Sequence, residues 1–325
     1  MVGTTVVGNY PRVGDTHEEQ GLRRAIARFD QGEISESDVR RAEREVIQSA
    51  IREQADAGVD VISDGQVTWH DSQSHIARRL SGIEIDGLVR YFDTNTYYRQ
   101  PVVVGPVEWR APIVADEWRF AQDRAPRGVK AILTGPVTLA SLAVDRHYGR
   151  KRALALDIAA ALAQEVRALA KAGAEHLQID EPILTRHPED LSLVSETLEA
   201  LHREKGRAEL TLFTYFGDVA RIYDDLLEVP ADTIGLDLVQ GNRTWSMLEA
   251  RSSEKPLVLG LVDARNTKAE DPSAVAAKAW QLRDRVDLDR CYLSPSNGLE
   301  FLPRTKAREK LRILVQAARL LEAKA

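Results

Sequence analysis

Residues 152–182, RALALDIAAALAQEVRALAKAGAEHLQIDEP, run from a helix into a strand, and the order of the two decides the fold. Ala155, Ile158, Leu162, Val166 and Leu169 recur at three- and four-residue spacing, so Arg152–Ala172 reads as a helix with one apolar stripe. His176–Asp180 then reads as a short strand, ending in the polar run Gln178-Ile-Asp-Glu-Pro182. Helix and strand alternating in this way build a parallel sheet.

The same unit repeats outward in both directions. Thr4–Val7, Val59–Ser63, Val129–Leu133, Leu210–Tyr215, Thr233–Asp237, Leu257–Val262 and Cys291–Ser294 bring the candidate strands to eight. Ser35 N-caps a helix that runs to Ala57 and is ended by Gly58, and Arg304–Ala325 reads as an amphipathic closing helix. Eight repeats in 325 residues fit an α/β fold of one domain over residues 1–325, a closed (β/α)8 TIM barrel. A doubly wound sheet fits less well, because Gly8-Asn-Tyr-Pro11 lacks the spacing of a dinucleotide turn.

One stretch breaks the rhythm. Residues 66–127 are rich in aromatics and lack a long helical stripe, and alternation in Arg90–Arg99 and Val102–Trp109 predicts a hairpin inserted after strand two. Such an insertion sits at the C-terminal face of the strands, where it acts as a lid or touches ligand.

With 44 Lys+Arg against 50 Asp+Glu, the net charge is 44 − 50 = −6, which argues against a sequence-independent nucleic-acid binder. The composition, 43% hydrophobic and 29% charged, suits a sizeable core under a soluble surface. A single cysteine, Cys291, excludes an internal disulfide and suggests a reducing compartment. No apolar run reaches the roughly 18 residues of a membrane span, and the N-terminus lacks the order of a signal peptide. The expectation is a cytoplasmic protein with no membrane or nucleic-acid partner.

In a barrel, residues ending each strand point into the site. Those ends carry Asn9, Tyr10 and Arg12; Asp64 and Gln66; Asp180 and Glu181; Thr214, Tyr215 and Phe216; Asp237; Asp263 and Asn266; and Asn297. Asp or Ser after a strand is often only a helix cap. Four ends presenting Asp (64, 180, 237 and 263) are nevertheless costly to desolvate without a cationic partner, so a small ligand bearing an amino group is expected. The seven histidines make no His-x-Cys or His-Glu-x-x-His arrangement, and there is no P-loop or hydrolase triad order.

Seven segments taken in order resemble one family. They are Thr5-Val-Val-Gly-Asn-Tyr-Pro-Arg12, Tyr91-Phe-Asp-Thr-Asn-Thr-Tyr-Tyr98, Leu133-Thr-Gly-Pro-Val-Thr138, Leu177-Gln-Ile-Asp-Glu-Pro182, Thr214-Tyr-Phe-Gly-Asp218, Ile234-Gly-Leu-Asp-Leu-Val239 and Leu261-Val-Asp-Ala-Arg-Asn266. Together they resemble the cobalamin-independent methionine synthase family, and the pattern is that of its N-terminal, zinc-free barrel. The resemblance implies methyl transfer from methylcobalamin, a corrinoid protein or methyltetrahydrofolate to the thiol of homocysteine, giving methionine. It also implies zinc, but its ligand positions look like Thr214, Phe216, Asp237 and Asn297, so the ligand set is not matched.

By the same resemblance, Asp180 and Gln66 face the substrate amine, with Gln66 standing where the family has Glu. The Asn9–Tyr10 backbone receives the carboxylate. Catalytic roles fall to Asp180, Asp237 and Tyr215. Substrate contacts fall to Asn9, Tyr10, Arg12, Asp64, Gln66, Glu181, Asp263, Asn266 and Asn297. Trp69, Tyr97 and Tyr98 line the donor cleft. Partners are the thiol substrate and either a corrinoid protein or a second barrel chain. The other reading is a non-catalytic barrel working with such a chain, or a lyase on the same fold.

Overall fold

The computed structural model describes residues 2–323. Its strands are β1 Gly3–Thr4, β2 Val61–Ile62, β3 Ile83–Arg90, β4 Tyr97–Val103, β5 Gly128–Val129, β6 Ala131–Thr134, β7 Val144–Asp145, β8 His176–Asp180, β9 Glu209–Thr214, β10 Thr233–Asp237, β11 Leu257–Val262 and β12 Tyr292–Pro295. The helices are α1 Gly21–Asp30, α2 Glu36–Ala57, α3 Ser72–Ala77, α4 Ala115–Gln122, α5 Pro136–Leu142, α6 Lys151–Ala172, α7 Leu191–His202, α8 Tyr223–Leu227, α9 Asn242–Ala250, α10 Pro272–Trp280 and α11 Arg304–Glu322.

Seven strands form one curled parallel sheet in the order β1-β12-β11-β10-β9-β8-β6. β2 pairs in parallel with β5 and meets the end of β1 at the Thr5–Val61 bridge. The apolar stripe of α6 is buried as its spacing predicts: Ala155, Ile158, Leu162, Val166 and Leu169 all lie against the core. Asp38 accepts the Ser35 N–H at 3.0 Å at the start of α2, and Gly58 closes the helix at φ 92°, where a Cβ would be strained.

β8, β10 and β11 have the bounds read from the sequence, whereas β1 and β2 hold only two residues each. Side chains have taken the backbone groups that would have extended them. The Val6 carbonyl accepts from Lys130 Nζ at 2.5 Å, the Val7 carbonyl from Gln178 Nε2 at 2.6 Å, and the Gly8 carbonyl from Ser63 Oγ at 2.7 Å. Ser63 in turn gives its N–H and carbonyl to the buried Gln54 amide, at 2.9 Å each.

The hairpin after β2 exists, but with other bounds than the alternation predicts. It is β3 paired antiparallel with β4, and Tyr91–Thr96 is its turn rather than strand. Phe92 has φ 49° there, and Thr94 Oγ1 donates to the Tyr91 carbonyl at 2.5 Å. The following segment also holds the short helix α4.

Glu165 on α6 fixes that segment. Fully buried, its carboxylate accepts from Trp109 Nε1 at 2.8 Å and from the N–H groups of Ile113, Val114 and Ala115 at 2.7, 2.8 and 3.0 Å. A carboxylate so placed caps the N-terminus of α4. Replacing it with Gln turns one acceptor into a donor that faces buried donors. Glu165→Gln is therefore expected to lose about 3 kcal/mol in urea unfolding followed by tryptophan fluorescence.

Candidate functional site

The C-terminal ends of the parallel strands surround a cavity of about 140 Å³. Asn9, Tyr10 and Arg12 come from the loop after β1, Gln66 and Trp69 from the loop after β2, and Tyr215 and Phe216 from the end of β9. The hairpin contributes Tyr91, Thr96, Tyr97 and Tyr98, and the segment after β12 contributes Glu300. Seven aromatic rings and a guanidinium thus share one small cavity with the Glu300 carboxyl.

Asp180 ends β8 beside it. Its Oδ1 accepts from Gln178 Nε2 at 2.8 Å and its Oδ2 from the Tyr215 hydroxyl at 3.2 Å. Burial pushes the Asp180 carboxyl up to about 7, against the opposing pull of the Gln178 amide, the Lys130 charge and the Tyr215 hydroxyl. Burial likewise raises Glu300 to about 7, with the negative charge of Asp180 adding to the effect. The Tyr215 and Tyr91 hydroxyls are held well above the usual phenol range by the same burial.

Several polar atoms here are buried without partners. Glu300 Oε2, Gln66 Oε1, the Tyr91 hydroxyl, and Nε and Nη2 of Arg12 all lack a hydrogen bond. Each such atom costs about 1–3 kcal/mol unless a ligand satisfies it. Acceptors and a guanidinium left open in one cavity match the ammonium and carboxylate of a small amino acid.

The sequence-predicted residues divide into two sets. Asn9, Tyr10, Arg12, Gln66, Trp69, Tyr97, Tyr98, Tyr215 and Phe216 line the cavity, with Asp180 hydrogen-bonded to Tyr215. Tyr10, however, turns its hydroxyl to Glu53 at 2.9 Å and gives its N–H to the Gly65 carbonyl at 3.0 Å, which leaves its amide no hydrogen for a ligand carboxylate. The second set serves the scaffold. Glu181 accepts from Val137 N, Thr138 N and Thr138 Oγ1 at 2.9, 2.8 and 2.5 Å, capping α5. Asp237 accepts from the N–H groups of Phe216, Val239 and Gln240 at 3.2, 3.0 and 2.9 Å. Asp64 lines a separate small cavity and accepts from Gln66 N–H at 2.8 Å, while Asp263 and Asn266 accept from Arg265 and Lys268 N–H in turns of their own.

The four zinc-ligand positions implied by the resemblance do not form a donor set. Thr214 Oγ1 donates to the Gly235 carbonyl at 3.2 Å, and Asp237 is committed to backbone amides. Phe216 carries no donor atom, and its ring packs edge-on against Tyr91, Tyr215 and Phe301. Asn297 keeps only an unpaired Oδ1. Among the described residues, no group of three or more His, Cys, Asp or Glu is placed to hold a metal ion.

Sequence reasoning assigned no role to Glu300, Tyr91 or Lys130. Glu300 lies three residues beyond Asn297, the residue named at the end of strand eight. There the turn Leu299–Phe301 carries it back to the cavity. Lys130 had a signal that went unread, a lone cation within the apolar run from Val129 to Leu133.

The family model for the catalytic domain of cobalamin-independent synthases matches residues 2–320. That is the catalytic domain, whereas the motifs in the sequence pointed to the zinc-free half. A methionine synthase of Saccharolobus solfataricus is 30% identical over 99% of this chain and 95% of its own length. One from Thermococcus kodakarensis is 28% identical over 99% and 94%. Among solved structures, a B12-independent methionine synthase from Shewanella sp. W3-18-1, in complex with selenomethionine, superposes with a TM-score of 0.85 at 20% identity, covering 100% of this chain and 98% of that one.

The open carboxylates have a measurable cost. Glu300 is held near 7 when folded and near the ordinary 4.3 when unfolded, so the folded state binds its proton more tightly between those values. Stability therefore falls as pH rises from about 4 to about 7, and then levels off. Glu300→Gln, which mimics the protonated form, is expected to match the parent at about pH 4 or below. At pH 8 it is expected to be more stable by on the order of 3 kcal/mol in urea unfolding.

Proposed function

The chain belongs to the cobalamin-independent methionine synthase family, and from that premise we propose that it is a methyltransferase acting on the thiol of homocysteine to give methionine. The methyl group comes from methylcobalamin, a corrinoid protein or methyltetrahydrofolate. The observation that carries this reading is the cavity with buried, unpaired acceptors and a guanidinium whose Nε and Nη2 lack partners, of a size to hold one amino acid. The Shewanella relative of this fold holds selenomethionine, the selenium analogue of the proposed product.

In this reading, Asp180 and Gln66 Oε1 take the substrate ammonium and Arg12 takes its carboxylate. Tyr215 orients Asp180 by donating to Oδ2, and Asp237 holds the turn that carries Phe216. A free thiol titrates near 8.5, so about a tenth is thiolate at pH 7.5, a cost of about 1.4 kcal/mol. Glu300, near 7, accepts the thiol proton. The sulfur then forms its bond to the methyl carbon as the donor's bond to that carbon breaks, and the electron pair stays with the donor. Zinc would activate the thiol in the family, but the residues present do not fit it.

We read the β2–β5 ladder as closing the sheet into an eight-stranded barrel of one domain, and the hairpin as its lid. Asp93 at the hairpin turn pairs with Arg186, and its carbonyl accepts from Arg265 at 3.3 Å. A second reading, a non-catalytic barrel working with a partner chain, is favoured by Phe216 standing at a ligand position.

Purified protein with homocysteine and either methylcobalamin or methyltetrahydrofolate, labelled in the methyl group, is expected to yield labelled methionine by mass spectrometry. Asp180→Asn should raise the homocysteine KM at least tenfold, because a neutral amide replaces the charge facing the ammonium. No labelled methionine from either donor, together with a second barrel chain that copurifies, would transfer the case to the non-catalytic reading.

A further inference from the structure

Lys130 stands between β5 and β6 with its side chain inside the curled sheet, 7% exposed. We propose that Lys130 is a positioning residue which, through Gln178, sets both the orientation and the ionisation of Asp180. The inference rests on the reading of Asp180 as the carboxylate that binds the substrate ammonium.

The geometry leaves one arrangement. Lys130 Nζ donates to the Val6 carbonyl at 2.5 Å and to Gln178 Oε1 at 2.7 Å. An ammonium can only donate, so the Gln178 amide must turn its oxygen toward Lys130. Its NH2 group then faces the other way, donating to the Val7 carbonyl at 2.6 Å and to Asp180 Oδ1 at 2.8 Å. A flipped amide would press NH2 against the ammonium and its oxygen against the Val7 carbonyl and the carboxylate, three repulsions in place of three bonds. In its ammonium form Lys130 thereby turns the Gln178 donor toward Asp180 from below. With Tyr215 donating to Oδ2, the lone pairs left over are those available to a ligand.

Charge acts along the same line. Burial works against the carboxylate form of Asp180, and the carboxyls of Glu181 and Glu300 face it with the same sign. Tyr215 and Tyr91 are its neutral neighbours. Lys130 is the cation among these groups that favours the ionised form. Burial in turn lowers Lys130 to about 7, opposed by Asp180 and by Glu209, which sits near His176 at the other end of the strands. A buried ammonium held by one amide and one carbonyl, with no carboxylate in contact, is a costly way to fill that space. Its return lies in the state of Asp180.

The test replaces Lys130 with Met, which is similar in length and uncharged, in the full-length protein. Aspartate carboxyls are labelled with 13C and titrated by NMR, and the Asp180 signal is assigned by its absence in Asp180→Asn. The Lys130→Met midpoint is expected at least about one pH unit above that of the parent, a tenfold change in the ionisation constant. Lys130→Arg keeps charge and donors and should stay within about half a unit. Gln178→Leu keeps the ammonium but removes the link, and should also shift upward. It carries the test should Lys130→Met not fold. The homocysteine KM at pH 7 should rise about tenfold in Lys130→Met, with kcat at pH 8.5 within about threefold of the parent.

A merely structural lysine would lower the melting temperature and leave the Asp180 midpoint where it was, and that result overturns the proposal. The titration needs neither substrate nor turnover. A failed methylation assay therefore counts against the functional reading, and an unmoved midpoint counts against this one.

Discussion

A carboxylate taken out of water must find hydrogen-bond donors or surrender its charge, and this molecule meets that constraint in two ways. Glu165 collects four donors and Glu181 three, most of them backbone N–H groups at the start of a helix. Both are thereby fasteners: one ties the segment after the hairpin to α6, the other ties the end of β8 to α5. Asp180 and Glu300 are supplied less generously. Asp180 has two donors and Glu300 Oε2 has none; Glu300 lines the cavity of aromatic rings and the Arg12 guanidinium, and Asp180 meets its wall through Tyr215. The supply of donors thus sets Glu165 and Glu181 apart from Asp180 and Glu300.

The same contrast explains the region where the family's metal ligands would stand. Phe216 sits at φ 71°, a backbone state that costs a bulky residue about 1–3 kcal/mol. Asp237 helps to hold that turn by accepting the Phe216 N–H. The ring packs among Tyr91, Tyr215 and Phe301, with the Arg265 guanidinium 5.8 Å from its centre. The turn therefore presents an apolar ring, and no donor atom, to its neighbours.

Much of this was legible in the sequence, and the limits of legibility are physical. The α6 stripe, the bounds of β8, β10 and β11, and the Ser35 and Gly58 caps follow from local periodicity and capping, which act over a few residues. The shortness of β1 does not, because the groups that displace the ladder come from Lys130 and Gln178, far away along the chain. Strand ends located Asp180, Tyr215 and Gln66 near the cavity. They could not tell Glu181, which alternation turns to the other side as a helix cap, from its neighbour Asp180. Glu300 escaped because a short turn, not a strand, returns it to the cavity. The hairpin turn was read as strand because Tyr91, Tyr97 and Tyr98 share the composition of a strand, while the Thr94 bond that makes the turn is not encoded in any alternation.

The two sides of the cavity differ in how firmly they are held. Below it, Lys130, Gln178 and Asp180 are linked by buried hydrogen bonds, reinforced by the Val6 and Val7 carbonyls and the Tyr215 hydroxyl. Above it, the hairpin turn is fastened by the Asp93–Arg186 pair, whose side chains are 75% and 43% exposed. A pair so wetted contributes between zero and about 1 kcal/mol, and the turn is held as well by Arg265 on the Asp93 carbonyl and by Tyr91 and Phe92 against Phe216. Breaking the lower chain instead leaves a charge unpaired in low dielectric, which costs several times as much. The floor of the cavity is thus the firmer side, with the Asp180 oxygens oriented by Gln178 and Tyr215.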